Sequence, residues 1–194
     1  MKLIFLIPSS TIRSTTKKTI KSVVGGQERL DVLSRCLLNL SRWNNRINRE
    51  IQLLVYMSHE QEQKVLSIPI SDKFDTLQNE IDSTYMMLDV LSSPEEYNAE
   101  YRVIRFNKLL DNLTKDSSIF YLTSEGLSID KQKVLTQNNL SLCFILGSQH
   151  DLSDEQEKAL FDINHIPISL GEKDYLASHV ITIVCNHLSH LDDN

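Results

Sequence analysis

Short runs of apolar residues, each bounded by polar residues, recur along the chain and predict buried β-strands. The runs cover residues 2–8, 51–57, 118–123, 141–147 and 166–169. Their apolar residues are continuous rather than alternating with polar ones, which is typical of parallel strands covered on both faces. Strands and helical patterns alternate in the second half of the chain. The predicted fold class is therefore α/β, a mostly parallel sheet with helices on both faces.

The clearest helical pattern lies between residues 28 and 47. Leucines recur there three and four residues apart and form one apolar stripe, made of Leu30, Leu33, Leu37 and Leu40. If the helix continues far enough, four arginines come together on its opposite side, namely Arg35, Arg42, Arg46 and Arg49. This second stripe is either a surface that follows phosphates or an ordinary solvated face.

The last predicted helix spans about residues 173–191 and has a broad apolar face. Its apolar positions include Leu176, Val180, Ile183, Val184, Leu188 and Leu191. A terminal helix of this kind packs either on the sheet or against a second subunit.

Polar and charged residues cluster in segments 57–76 and 92–100, which we predict to be the least ordered parts of a single domain that covers residues 1–194. The apolar run after Lys2 is too short for a secretion signal, and no later run is long enough to span a membrane. The three cysteines are far apart and form no CxxC pair, which excludes a disulfide scaffold and indicates reduced thiols. We therefore expect a cytoplasmic protein.

The net charge of −6 is unevenly distributed along the sequence. Residues 1–50 carry ten basic and three acidic groups, a charge of +7, whereas the remaining residues carry −13. A basic N-terminal segment of this kind is either a local phosphate-binding surface or a solvated face.

Familiar catalytic and metal motifs are missing or incomplete. His187 and His190 form an isolated HxxH pair, more typical of a polar helix end than of a zinc site. Cys36, Cys143 and Cys185 lie in apolar surroundings, which favours a structural role over a nucleophilic one. Glycines follow two of the predicted strands, at Gly147 and Gly171, where α/β proteins bind ligands.

Together these segments resemble the SPOUT class of S-adenosylmethionine-dependent RNA methyltransferases, and more closely the TrmY-type tRNA pseudouridine-N1-methyltransferase family. The resemblance rests on residues 28–36 (ERLDVLSRC), 119–122 (IFYL), 143–147 (CFILG) and on 168–170 (ISL) through 177–183 (ASHVITI). These segments occur in the order of the family, and the C-terminal third matches best.

The resemblance implies a SPOUT-type α/β fold with a deep C-terminal trefoil knot and a homodimer that packs through the terminal helix. It also implies that S-adenosyl-L-methionine, the methyl donor, binds in the knot region at about 118–194, while the basic segment at about 1–50 faces RNA. The donor contacts that it implies are Leu122, Gly147, Ser169, Leu170, Gly171, Glu172, Lys173, Asp174 and Val180.

The same resemblance suggests the catalytic residues. In pseudouridine N1 carries a proton, so its methylation needs a proton acceptor. Asp31 of the Arg-x-Asp motif is the candidate for this acceptor, and Arg29 would bind the edge of the base or a nearby phosphate. The alternative is that Asp31 is only a helix-start carboxylate that pairs with Arg35 four residues later. Further RNA contacts are predicted for Arg35, Arg42, Arg102 and Arg105.

Three functions are compatible with this sequence. The first is an RNA methyltransferase acting on a pseudouridine, with tRNA as the expected partner and neither metal nor membrane. The second is a knotted dimer that binds RNA without catalysis, and the third is a SPOUT methyltransferase with another target. The intact set of predicted donor contacts favours an enzyme over the second function.

Overall fold

The computed structural model describes residues 1–12, 29–58, 63–132, 135, 141–147, 152–173 and 175–192. Seven strands form one sheet: β1 (Lys2–Ser9), β2 (Glu50–Met57), β3 (Lys64–Pro69), β4 (Glu100–Val103), β5 (Ser117–Ser128), β6 (Ser141–Ile145) and β7 (His165–Ser169). Five α-helices accompany them: α1 (Leu30–Trp43), α2 (Glu80–Ser92), α3 (Phe106–Leu113), α4 (Asp154–Phe161) and α5 (Ala177–Asp192). In the described part of the chain no helix is long and apolar enough to cross a membrane.

The sheet has the strand order β4-β3-β2-β1-β6-β5-β7 and is mostly parallel, which confirms the predicted fold class. All five strands predicted from apolar runs are present, and they pair in parallel. The other two strands, β3 and β4, pair antiparallel at one edge.

The prediction that segment 57–76 is among the least ordered parts of the chain is wrong for residues 64–69. Residues 64–69 form β3, and Val65, Leu66 and Ile68 are fully buried in the sheet. The polar residues that suggested a loop flank a short apolar run, and pairing with β2 turns that run into a strand.

Successive side chains along each strand point to opposite faces of the sheet, and this alternation divides the core into two layers. Phe5, Val55, Phe144 and their neighbours face α1, α2 and α5. Leu6, Tyr56 and Ile145, one position further along each strand, face α3 and α4. Because both faces carry buried side chains, the strands look continuously apolar in the sequence.

Helix α1 is shorter than the predicted 28–47. It ends at Trp43, and residues 44–46 form a turn. The predicted stripe of four arginines is therefore wrong as a helical surface. Arg35 and Arg42 lie on α1, whereas Arg46 lies over the Trp43 ring and Arg49 is buried before β2.

Helix α5 begins at Ala177, four residues later than predicted, and buries Val180, Val184 and Leu188 in the same layer as α1. The two helices are also joined by a hydrogen bond, in which Asn39 Nδ2 donates to the carbonyl oxygen of Ser178 at 2.7 Å. The terminal helix thus packs on the sheet, one of its two predicted positions.

Strand β5 pairs with β7 at two places, and the same residue of β7, Ile168, takes part in both pairings. Ile168 pairs with Leu122 and again with Leu127, so that residues 123–126 bulge out between the two contacts. At the end of this bulge, a Cβ added to Gly126 would lie 2.4 Å from the carbonyl carbon of Ile168. Only glycine allows this approach of two backbones. The trefoil knot stays a prediction.

This contact predicts that Gly126→Ala destabilises the protein, because the backbone of Ile168 cannot move aside as a flexible side chain would. We expect a loss of about 1–3 kcal/mol in the free energy of unfolding, the range for overpacked sites, measured by urea denaturation. Gly147→Ala is the matched control, since its added Cβ would meet no atom within 4 Å. Equal midpoints for the two variants would contradict the described contact.

Candidate active site

A cavity of about 420 Å³ opens where β5, β6 and β7 end, beside the start of α5. Seven of the nine predicted donor contacts line it, namely Leu122, Gly147, Leu170, Gly171, Glu172, Lys173 and Val180. Of the other two, Ser169 is buried next to this wall and Asp174 lies outside the described residues. The carboxyl ends of parallel strands therefore bring these three sequence segments together.

Two residues, Ser169 and Gly171, determine the conformation of the loop after β7. Gly171 has φ +109°, a backbone conformation that side-chain-bearing residues rarely adopt. Ser169 Oγ accepts a hydrogen bond from the backbone N–H of Gly171 at 3.1 Å. The turn thus holds backbone close to the cavity at a point where a larger residue would be strained.

Sequence reasoning missed several residues of this cavity. Thr123 and Ser124 come from the bulge of β5, and Tyr175 comes from the segment before α5. Their positions in the sequence were the available signal, since Thr123 ends a predicted strand, Ser124 follows it, and Tyr175 lies inside the last matched segment. The cavity combines an apolar floor, which includes Leu146 and Ala177, with hydroxyl groups and one charge of each sign.

The predicted catalytic residues form an ion-pair cluster at the start of α1. Arg29 donates from Nε to Asp31 Oδ1 at 2.9 Å and from Nη2 to Oδ2 at 3.3 Å. Arg35 donates from Nη2 to the same Oδ2 at 2.6 Å, and its Nη1 lies 3.7 Å from Glu80 Oε1 on α2. The i,i+4 pair considered for Asp31 and Arg35 is thus present.

Two opposing effects act on the pKa of Asp31. Burial by itself would raise it, but the hydrogen bond from Arg29 and the charges of Arg29 and Arg35 outweigh burial, so the pKa lies below its ordinary value. The carboxylate is therefore charged at neutral pH.

This cluster does not line the cavity, although it lies at the same edge of the sheet. Helix α1 follows the carboxyl end of β1 and leads back to the amino end of β2, so its first turn is at the edge where β5, β6 and β7 end. Asp31 precedes Asn39, which contacts α5, by two helical turns or about 12 Å along the axis. The cluster therefore lies towards the carboxyl ends of the strands, on the face that α5 covers.

The remaining predicted RNA contacts are more distant. Arg42 is exposed at the end of α1 and donates to the carbonyl oxygen of Gln78 at 3.4 Å. Arg102 lies on edge strand β4 and Arg105 just before α3, both exposed. Because β4 lies four strand spacings from β6, Arg102 is about 19 Å or more from the cavity. Their contact with RNA stays a prediction.

The thiols and histidines offer no second reaction centre in the described part of the chain. Cys36, Cys143 and Cys185 are free and fully buried, and burial raises the thiol pKa of Cys36 and of Cys143 to about 12. His187 Nδ1 lies 3.3 Å from Asp130, while His190 bonds the carbonyl oxygen of Asn186. Among the described residues no three metal-ligating side chains come together.

A larger cavity of about 520 Å³ lies on the other face, between α3 and α4. Its lining includes Asp111, Glu155 and Asp162, and none of the predicted site residues. Lys158 lies beside these carboxylates in the lining. Because seven of the predicted donor contacts line the smaller cavity and none lines this one, the smaller cavity is the better candidate for the methyl donor.

A family model described as "Putative SAM-dependent RNA methyltransferase" matches residues 1–192. Curated relatives share the name tRNA (pseudouridine(54)-N(1))-methyltransferase. The protein from Methanococcus aeolicus is 34% identical over 82 residues, which cover 41% of this chain and 40% of the relative. The Haloferax volcanii protein is 20% identical over 191 residues, covering 95% and 94%. The chain thus matches about two fifths of the length of the Methanococcus relative.

Solved structures with this fold include Archaeoglobus fulgidus Nep1 bound to S-adenosylhomocysteine. It has a TM-score of 0.66 and 11% identity, with full coverage of both chains. A ribosomal RNA small subunit methyltransferase E from Neisseria gonorrhoeae, bound to S-adenosyl methionine, has a TM-score of 0.53 and 10% identity, covering 97% of this chain and 66% of that one. At these identities the likeness shows the fold.

The Asp31 cluster predicts a pH-dependent contribution to stability. Because its pKa is lowered in the folded state, Asp31 stabilises the protein above the unfolded pKa of about 4, and this contribution disappears as the pH falls through the lower folded value. Urea denaturation should find Asp31→Asn less stable than wild type at pH 7, with the difference shrinking below pH 4. A difference that grows on acidification would contradict the lowered pKa.

Proposed function

The chain belongs to this family of SAM-dependent RNA methyltransferases, and from that premise we propose that it methylates N1 of a pseudouridine in a structured RNA. Its curated relatives are named for this reaction on tRNA, so a tRNA T-loop is the proposed substrate. The observation that carries the proposal is the cavity at the ends of β5, β6 and β7, which seven of the predicted donor contacts line.

The residues around this cavity fit S-adenosylmethionine. Three loops supply most of its lining, and both Gly147 and Gly171 leave space that a side chain would take. Leu122, Leu170 and Val180 offer apolar surface to a purine ring, whereas Glu172 supplies a carboxylate for an ammonium or ribose hydroxyl group. When bound, the donor supplies a methyl group on a sulfonium, which a nucleophile takes while the sulfur keeps the bonding electrons.

The target nitrogen distinguishes pseudouridine from uridine. In uridine N1 is bonded to the sugar, whereas in pseudouridine it carries a proton and becomes a nucleophile when that proton leaves. The protein must hold the base, turned out of its loop, with N1 in line with the methyl group. Loop residues such as Thr123, Ser124 and Tyr175 lie where they can contact a base placed over the cavity.

A second copy of the chain belongs to this proposal. Two exposed apolar side chains, Tyr175 and Leu176, directly precede α5, and Ile183 within the helix is half-buried. We propose that these residues pack in a homodimer, which would bring the partner's basic surface towards the cavity. Sedimentation of the purified protein tests the stoichiometry, and a monomer at micromolar concentration would contradict it.

The reaction is tested with two synthetic T-loop stems that differ only in pseudouridine or uridine at the target position. Incubation with S-adenosylmethionine, followed by nucleoside mass spectrometry, should show N1-methylpseudouridine from the first RNA alone. Methylation of both RNAs, or of a carbon or ribose oxygen, would contradict the proposed target. Donor binding without methylation of either RNA would favour the non-catalytic alternative.

Donor binding is tested separately by thermal unfolding, because a ligand that binds only the native state raises the midpoint. S-adenosylhomocysteine should stabilise the wild type. Gly171→Ala should show a smaller shift, since its φ of +109° strains any side-chain-bearing residue in the loop. Ser189→Ala, a small change near the far end of α5, is the control. Equal shifts for all three proteins would place the donor elsewhere.

A further inference from the structure

Three guanidinium N–H groups already occupy the carboxylate of Asp31. Two come from the fork of Arg29, through Nε and Nη2, and one from Arg35. The arrangement is compact, since all three donor–acceptor distances lie between 2.6 and 3.3 Å. The Asp31 side chain is 17% exposed, whereas both arginine side chains are 31% exposed. The cluster therefore presents guanidinium groups, rather than the carboxylate, to a ligand.

A carboxylate held in this way is a weak proton acceptor. The neighbouring charges that keep its pKa below the ordinary value also disfavour its protonated form. General-base catalysis works best when the pKa of the base lies near the operating pH. These properties oppose the role of proton acceptor that the sequence suggested for Asp31.

The backbone at Arg29 points to a functional constraint at the same place. Arg29 is one of two non-glycine residues with positive φ in the described part of the chain, at φ 49° and ψ 42°. A left-handed conformation costs a residue of this type about 1–2 kcal/mol. The two hydrogen bonds to Asp31 hold the Arg29 side chain against the first turn of α1. Strain of this kind clusters at ligand-binding sites.

Arg29, Arg35 and Asp31 together carry one net positive charge and have spare donors. The two guanidinium groups share one half-buried carboxylate, and each carries further N–H donors beyond those given to Asp31. Glu80 on α2 lies 3.7 Å from Arg35 and is 53% exposed, so water screens this contact. Two neighbouring guanidinium groups are suited to bidentate binding of a phosphate.

We propose that Asp31 is a positioning residue, which holds Arg29 and Arg35 as a two-guanidinium clamp for one phosphate of the RNA, and that it is not the proton acceptor of the reaction. This inference rests on the proposed function, because it assigns the clamp to the RNA that the enzyme methylates. The clamp projects from the edge and face of the sheet that hold the donor cavity, where it can grip the backbone beside a base placed over that cavity.

The test separates RNA affinity from turnover in Asp31→Asn. This variant keeps the size of the side chain but removes the charge that aligns both guanidinium groups. We expect KM for the RNA to rise about tenfold, which corresponds to the loss of about 1.4 kcal/mol in binding. At saturating RNA, kcat should fall less than about fivefold and keep its pH profile. The shift in melting temperature with S-adenosylhomocysteine should stay the same.

Two further variants keep the test independent of any folding defect. Arg29→Lys retains the charge but loses the fork, so it should raise KM as Asp31→Asn does. The double variant should add little to either single change, because both act through the same clamp. Asp111→Asn is the matched control, since it removes the same charge from an exposed pair with Lys108, at 3.1 Å on α3 across the sheet. It should leave all parameters unchanged.

Other results would overturn the proposal. A fall in kcat of more than about 100-fold at saturating RNA, with unchanged KM and an altered pH profile, would make Asp31 the proton acceptor. Unchanged KM and kcat in both single variants would remove the cluster from the reaction. A wild-type protein that methylates no RNA would overturn the proposed function, and the clamp with it, whereas the preceding results arise only with an active enzyme.

Discussion

The close approach of Gly126 to the backbone of Ile168 is the constraint on which the rest of the site depends. It allows β5 to contact β7 on both sides of a bulge, with Ile168 between Leu122 and Leu127. The bulge then supplies Thr123 and Ser124 to one wall of the cavity, opposite the loop that carries Gly171. The parallel strands bring the three loops to one edge of the sheet, and this contact adds the bulge of β5 to the wall of the cavity.

Helix α1 connects this cavity to the charged cluster. Its apolar side packs on the sheet, and Asn39 ties it to the first turn of α5, beside which the cavity opens. Two turns earlier, the same helix begins with the strained Arg29 and the ion pairs of Asp31. A rigid helix thus sets the distance between the donor cavity and the guanidinium groups, and rigid spacing of this kind favours productive placement of a substrate.

The donor cavity and the cluster on α1 differ in charge, and their proposed roles follow from this difference. The donor cavity combines apolar side chains and hydroxyl groups with one charge of each sign, which suits a nucleoside cation. The cluster on α1 has an excess of guanidinium groups, which suits a phosphate. The larger cavity on the opposite face has Lys158 beside its three carboxylates, so it lacks the excess of basic groups that suits a phosphate.

The sequence by itself determined five of the seven described strands, the parallel character of most of the sheet and the segments that meet in the cavity. Apolar runs such as 2–8 and 141–147 carry that information because a strand buried on both faces has few polar positions. Leu122, Gly147 and Gly171 followed from a resemblance in matched segments, and the structure brings them to one cavity. A local pattern is sufficient to predict these strands and segments, because the apolar character of a run and its order in the chain can be read from the sequence.

Tertiary structure decided the remainder. Strand β3 forms because it pairs with the edge of β2. The predicted arginine stripe does not form because α1 ends at Trp43, before Arg46 and Arg49. The sequence allowed Asp31 to be either a proton acceptor or an ion-pair partner, and the three-dimensional contacts with Arg29 and Arg35 favour the second. Hydrogen-bond partners, strain at Arg29 and the fit of Gly126 depend on atoms brought together by folding, which no periodicity in the chain records.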